Sequence, residues 1–153
     1  MDKNKPPGIS FDGIILKELI FSRKEGFSDR PELNLNLESR LSFSKKKDKL
    51  NYELSCEVKD SKEYFYIKCV MLGFFSVIKG EENMGLKEYS NLNAPAVIFP
   101  YIRETIASTT TRAGIPSVII PPTNLNMLKR SSDENNEANT LPPSEAPKPR
   151  HKG

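Results

Sequence analysis

Two neighbouring segments of this sequence alternate apolar and polar residues so regularly that they constrain the whole fold. In residues 33–43 the leucines and a phenylalanine occupy odd positions, and in residues 50–58 the apolar residues occupy even positions. An extended strand places residues with a period of two on one face, whereas a helix would scatter them. The lysine-rich residues 44–49 lie between the segments. The pattern predicts two half-buried antiparallel strands joined by a solvated loop.

Two further segments carry apolar residues on both faces. Residues 63–79, EYFYIKCVMLGFFSVIK, are apolar at odd and even positions after Lys68. In residues 11–21, FDGIILKELIF, alternation would place Phe11, Ile15, Leu19 and Phe21 on one face and Ile14, Leu16 and Ile20 on the other. Both segments predict strands that are dry on both faces, although the periodicity of 11–21 also allows a short amphipathic helix.

The surplus apolar surface has two compatible interpretations. It predicts a subunit interface, in which sheet packs on sheet across a symmetry axis. It also predicts a groove for extended apolar segments of other proteins.

The connections define an α+β order, with four strands first and one long helix last. Residues 22–32, SRKEGFSDRPE, are too long for a hairpin and predict a crossover. After a polar stretch, Ile98, Ile102 and Ile106 form an apolar helical stripe. We expect the regular helix to begin near Val97 rather than at an Asn93 cap, because Pro100 then lies in the first turn. Gly114 and Pro116 predict its end.

The length of 153 residues allows one core. We expect a flexible N-terminus at residues 1–8, one domain at 9–128, and a polar, proline-rich tail at 129–153 that is disordered. His151, the sequence's one histidine, lies in that tail.

The sequence lacks the patterns of the common enzyme classes. It has no glycine-rich phosphate loop, no CxxC or HExxH spacing, and no histidine in residues 9–128 to act as a general base. We therefore expect no catalytic residue, no metal and no cofactor, and interpret the chain as a non-enzyme. Cys56 and Cys69 are interpreted as buried thiols rather than a disulfide.

Charge and hydropathy restrict the partners. A formal net charge of +3 is too small and too mixed in sign to predict nucleic-acid binding. No apolar run approaches the roughly 20 residues that span a bilayer, so we expect no membrane insertion. The N-terminal residues MDKNKPPGISFDG lack the continuous apolar core of a secretory signal, and we expect a cytoplasmic protein.

Residues 94–125, APAVIFPYIRETIASTTTRAGIPSVIIPPTNL, resemble the signature region of the SecB protein-export chaperones. The most specific part is the FPYxRE motif, which is followed by a serine, an Arg-Gly turn and a Pro-x-Asn-apolar end. LKELIFSR resembles the family's first strand, and LGFFSV resembles the end of its fourth. The resemblance covers residues 9–128.

The resemblance implies a chaperone without ATPase activity, which assembles as a homotetramer, a dimer of dimers. Such chaperones hold non-native preproteins in apolar surface grooves and deliver them to the SecA motor of the Sec translocon. By the resemblance, the groove that binds unfolded polypeptides draws on Phe27, Phe74, Phe75, Leu125 and Leu128. Glu18 corresponds to a SecA contact. The subunit contacts include Tyr101, Arg103, Glu104, Ser108 and Thr109, and Thr110 and Thr111 are expected to pack nearby.

The sequence departs from the family at two sheet positions. Ser22 and Lys68 stand where an acidic residue is usual, and the second helix is curtailed. Three functions therefore remain open: a general export chaperone, a SecB-like chaperone dedicated to one client such as an antitoxin, and an oligomeric structural or interaction module.

Overall fold

The computed structural model of this protein describes residues 1–26 and 32–130. Its strands are β1 (Ile9–Arg23), β2 (Leu33–Phe43), β3 (Lys49–Asp60), β4 (Phe65–Val77) and the two-residue β5 (Lys129–Arg130). One long helix, α1 (Leu86–Arg112), and a short 3-10 helix (Pro122–Met127) lie between β4 and β5. The predicted fold class is confirmed: a four-stranded antiparallel sheet is followed by one main helix.

The predicted hairpin of β2 and β3 is also confirmed. The two strands pair without a register shift, so Leu37 lies opposite Cys56 and Leu41 lies opposite Tyr52. Direct opposition in an antiparallel pair puts both side chains on one face. That face of the sheet packs against α1 and contains the fully buried Tyr52, Leu54 and Cys56.

The strand order is β1-β4-β3-β2-β5. Because β1 pairs with β4 and not with β2, the connection between β1 and β2 crosses over, as predicted. Residues 27–31 of this connection, including Phe27, lie outside the described residues. Lys129 and Arg130, just past the predicted domain limit, pair with β2, and residues 131–153 also lie outside the described part.

The face assignment predicted for β1 is wrong. Register shifts interrupt the β1–β4 pair between Phe11 and Gly13 and between Leu16 and Glu18. A bulge adds one residue to a strand and so reverses the alternation that follows it. Ile14 therefore pairs with Gly73 on the helix side of the sheet, whereas Ile15 pairs with Leu72 on the opposite side.

The predicted start of the helix near Val97 is also wrong. The helix α1 begins at Leu86, its N-cap is Gly85 rather than Asn93, and both Pro95 and Pro100 lie inside it. Each proline lacks an amide hydrogen for the helical ladder, which costs stability. Tertiary packing offsets this cost, because the first turns bury Tyr89 against the Phe75 ring, 5.5 Å away between centroids.

The predicted end of the helix agrees with the structure. Gly114 adopts a left-handed φ of 73°. Its N–H donates to the Thr111 carbonyl, and the N–H of Ile115 donates to the Thr110 carbonyl, at 3.1 and 3.3 Å. These bonds satisfy helix carbonyls that would otherwise lack partners. The chain then runs back along α1 with Ile115, Val118 and Ile120 buried.

Candidate surfaces for polypeptide binding and assembly

The first candidate surface lies on β1, a strand at the edge of the sheet. Its apolar residues Phe11, Ile15, Leu16, Leu19 and Ile20, named here the β1 surface, are 36–49% exposed. They lie on both faces of the strand, and in the described part of the chain no strand pairs with its outer edge. The sequence predicted that both faces of this strand would be dry. In the single chain, apolar residues on both faces of β1 remain partly exposed.

The aromatic end of the β1 surface meets the helix. The Phe11 ring stacks on Phe75 with 5.3 Å between centroids, and it lies edge-on to Tyr101 at 6.1 Å. The Tyr101 side chain is 44% exposed. The structure therefore joins the β1 surface to one predicted subunit-contact residue.

The second candidate surface lies beside β2. It consists of half-buried apolar residues that pack against the edge of the core, and is named here the β2 fringe: Leu35, Leu41, Phe43, Leu125 and Leu128. The 3-10 helix contacts both β2 and α1, and its Leu125 packs against the same core cluster as the apolar residues of β2. The alternation in the sequence predicted the strand β2 but not its position beside β5 at one side of the sheet. Strand order depends on the crossover between β1 and β2, which local patterns do not specify.

The predicted groove residues occupy different environments. Phe74 and Phe75 are 3% and 1% exposed and lie on opposite faces of β4, as consecutive strand residues must. Leu125 and Leu128 are half-buried members of the β2 fringe. Phe27 lies outside the described residues. The structure thus brings two of these residues together at one surface.

The other predicted subunit-contact residues lie along α1. Glu104 is exposed, Ser108 and Thr109 are half-buried, and the Ser108 hydroxyl donates to the Thr105 carbonyl at 3.2 Å. Arg103 donates from Nε to the Ile120 carbonyl of its own chain at 2.5 Å. Arg103 therefore fastens the segment that follows the helix, a role the sequence did not indicate.

The predicted SecA contact, Glu18, lies on the sheet face opposite α1. Its carboxylate is 3.5 Å from the Lys68 ammonium. Glu18 and Lys68 line a cavity of about 260 Å³ together with Lys17, Arg40 and the buried Glu53. The Lys17 ammonium donates to Oε1 of Glu53 at 2.8 Å. The guanidinium Nη1 of Arg40 lies 3.9 Å from Oε2 of Glu53. Glu18 and Glu53 on this face are therefore each paired with a basic side chain.

The described residues contain no cluster of histidine, cysteine, aspartate or glutamate that could hold a metal ion. Cys56 and Cys69 lie opposite one another in the β3–β4 pair, and burial raises the pKa of each thiol to about 12. Such thiols stay protonated near neutral pH and are poor nucleophiles. Tyr66 donates to Glu57 at 2.7 Å, which lowers the pKa of that carboxyl and raises that of Tyr66 to about 12.

No helix in the described ranges is both long enough and apolar enough to cross a membrane.

The described residues thus combine a sheet, one main helix behind it and exposed apolar residues on the edge strand β1. Residues 3–136 match the SecB family, described as preprotein translocase subunit SecB, and this chain belongs to that family. The predicted recognition is thereby confirmed, and the family supports a chaperone role.

The relatives extend over most of this chain. It is 28% identical to the protein-export protein SecB of Nitrosospira multiformis, over 92% of this chain and 94% of the relative. It is 29% identical to an uncharacterised protein of Methanocaldococcus jannaschii, over 88% of this chain and 92% of the relative. The same fold occurs in the SecB-like chaperone of Mycobacterium tuberculosis, solved with a ChAD peptide from the HigA1 antitoxin. The TM-score is 0.62 at 15% identity, over 74% of this chain and 86% of that one.

Proposed function

We propose that this protein is a chaperone that holds unfolded preproteins at apolar surfaces, without ATP, for export through the Sec translocase. The observation that carries the proposal is the β2 fringe, an apolar surface at a sheet edge in a chain of the SecB family. Holding a non-native chain needs exposed apolar surface and no reactive group. The cytoplasmic location expected from the sequence is part of this proposal.

The client surface is proposed to centre on Leu125 and Leu128 beside β2. Phe74 and Phe75 are buried in β4, so in this proposal they stabilise the sheet rather than contact the client. Phe27 remains a proposed member of the groove.

The test is the refolding or aggregation of an unfolded preprotein at stoichiometric chaperone. The wild-type protein should slow either process, and Leu128→Ser should weaken the effect several-fold. Ile78→Ser is the matched control, because Ile78 is exposed and follows the end of β4, outside the β2 fringe, the β1 surface and α1. A wild-type protein that does not slow aggregation would overturn the proposal.

The chaperone is proposed to be a homotetramer, a dimer of dimers, in which the β1 surface and the outer face of α1 are covered. Light scattering at micromolar concentration should give the tetramer mass. Leu19→Asp, which places a charge in the β1 surface, should shift the mass downward, whereas Lys45→Asp in the exposed β2–β3 loop should not. A monodisperse wild-type monomer would contradict this assembly.

A second function is favoured by the paired charges on the open sheet face. Lys68 pairs with Glu18, the residue that the resemblance assigns to a SecA contact, and so offsets its negative charge. A chaperone dedicated to one client, such as an antitoxin, needs no SecA. Direct binding of purified SecA decides between the two functions: affinity equal to that of an ordinary SecB supports export. If binding is absent and Lys68→Glu creates it, the dedicated chaperone is supported.

A further inference from the structure

The turn between β2 and β3 carries a dense cluster of positive charge. Residues 44–49 read SKKKDK, and the structure leaves all four lysines exposed: Lys45, Lys46, Lys47 and Lys49. Asp48, the one acidic residue of the turn, is half-buried. Four ammonium groups therefore face solvent at one tip of the sheet.

Hydrogen bonds fix the shape of this turn. The Ser44 hydroxyl accepts the N–H groups of Asp48 and Lys49 at 3.2 and 3.0 Å, and it donates to Oδ1 of Asp48 at 2.7 Å. The N–H of Lys47 donates to the Ser44 carbonyl at 2.9 Å. Asp48 thus bonds to Ser44 within the turn. Among the described residues, no carboxylate forms an ion pair with any of the four lysines.

Two other segments lie beside the turn. The N–H of Val77 donates to the Asp48 carbonyl at 2.8 Å, and the N–H of Ile78 donates to the Gly8 carbonyl at 2.9 Å. These bonds place residues 78–84 and residues 1–8 at the same end of the sheet. The three segments together hold seven exposed lysines and four acidic residues: Lys3, Lys5, Lys45, Lys46, Lys47, Lys49 and Lys79 against Asp2, Asp48, Glu81 and Glu82. This end therefore has a surplus of three positive side-chain charges.

The chemistry of the turn fits a surface that carries many phosphates. A lysine ammonium is a point charge and lacks the planar fork with which arginine binds one phosphate bidentately. Residues 44–49 contain no arginine, and no aromatic ring that could stack on a nucleic-acid base. Ile78, which is 37% exposed, adds an apolar side chain next to the turn. Lysines beside an exposed apolar residue suit the headgroup region of an anionic bilayer.

We propose that the β2–β3 turn, with residues 1–8 and 78–84 beside it, is a docking surface for anionic phospholipid membranes. The lysines bind headgroup phosphates reversibly, and the chain does not cross the bilayer. This surface shares no residue with the β1 surface except none and none with the β2 fringe, so the inference does not rest on the proposed chaperone function. Because the attraction is electrostatic, salt weakens it.

The first experiment measures sedimentation of the full-length protein with vesicles. The protein should bind vesicles of equimolar phosphatidylcholine and phosphatidylglycerol at about 0.01 M salt and dissociate at about 0.15 M, where the Debye length is about 8 Å. It should not bind phosphatidylcholine vesicles. Replacing Lys45, Lys46 and Lys49 by glutamine should weaken binding by about fivefold per lysine. Lys47 is kept because its φ of 56° is a left-handed conformation.

The matched control replaces Lys24, Lys59 and Lys62 by glutamine. These lysines are also exposed, and they lie at the opposite end of the sheet, where the N–H of Lys24 donates to the Tyr64 carbonyl. The control removes the same charge from the whole protein and should bind vesicles nearly as the wild type does. Equal losses in the two triple variants would show a general charge effect and overturn the proposal.

The second experiment locates the contact with a single substitution. An environment-sensitive fluorophore on Lys46→Cys should shift its emission to the blue when phosphatidylglycerol vesicles are added, whereas the same fluorophore on Lys62→Cys should not. Cys56 and Cys69 are fully buried, so the label attaches to the introduced thiol. Vesicle binding without a shift at position 46 would contradict docking through the turn.

Other polyanions provide the remaining outcomes. If oligouridine RNA or polyglutamate binds through the lysines of the turn and the vesicles do not, the membrane proposal is wrong. The triple variant of the turn should still slow the aggregation of an unfolded preprotein as the wild type does. Failure of the chaperone assay and failure of the vesicle assay are therefore separate results.

Discussion

Replacing Thr110 by valine should destabilise the protein although the side chain keeps its shape. The Thr110 hydroxyl is fully buried, donates to the Ile106 carbonyl at 2.8 Å, and accepts the N–H of Val118 at 3.0 Å. The Thr110 hydroxyl therefore links α1 to the segment after the helix that contains Val118. Valine is also β-branched, so helix propensity changes little.

The magnitude follows from the groups left without partners. Val118 is 5% exposed, and its amide would lose its acceptor in a buried site. An unsatisfied buried donor costs about 1–3 kcal/mol, and the apolar methyl recovers up to about 0.8 kcal/mol. The Ile106 carbonyl still accepts its helical hydrogen bond. The free energy of unfolding should therefore fall by about 1–2 kcal/mol.

Urea unfolding followed by far-ultraviolet circular dichroism measures this loss, at a fixed protomer concentration because subunit assembly contributes to stability. Thr111→Val is the matched control. Its hydroxyl is exposed, donates to the Ala107 carbonyl at 2.8 Å, and accepts no described hydrogen bond. We expect a change within about 0.5 kcal/mol. Equal losses in the two variants would refute the assignment of the Thr110 hydroxyl as the anchor of Val118.

Two further predictions concern the core. A Cβ at Gly73 would lie 2.8 Å from Cδ1 of the buried Ile98, so Gly73→Ala should cost about 1–3 kcal/mol. Ile98→Val, which removes that atom, should make the double variant less unstable than the sum of the single variants, and additivity in thermal unfolding would argue against the contact. Because burial raises the pKa of the Cys56 and Cys69 thiols, the unfolded state loses their protons first as pH rises. The free energy of unfolding should fall as the pH rises from about 9 toward 12. Each thiol contributes up to about 1.4 kcal/mol per pH unit to this fall. Cys69→Ala should flatten this fall, and an unchanged slope in alkaline urea unfolding would contradict it.

The local patterns of the sequence were sufficient for the strands β2, β3 and β4 and for the end of α1. Alternation with a period of two identifies a half-buried strand because neighbouring side chains point to opposite faces. Gly114 identifies a helix end because glycine adopts a left-handed φ without strain. The FPYxRE motif identified the family, and the family match confirmed it.

Contacts between distant residues decided the features that local patterns misjudged. The bulges of β1 depend on its pairing with β4, so simple alternation assigned Ile15 to the wrong face. The helix continues through Pro95 and Pro100 because its early turns are buried against the sheet. Helix propensities describe single residues and do not include this tertiary burial.

The two candidate surfaces depend on the order of the strands in the sheet. The crossover places β1 beside β4, so β2 lies three positions away from β1, beyond β3. The sequence specified which residues are apolar and how they alternate, since those properties are local. The tertiary structure determined that the leucines of β2 border an edge and that Thr110 faces inward while Thr111 faces outward. The physical reason is that burial and edge position are properties of the assembled sheet and helix, set by which distant segments meet.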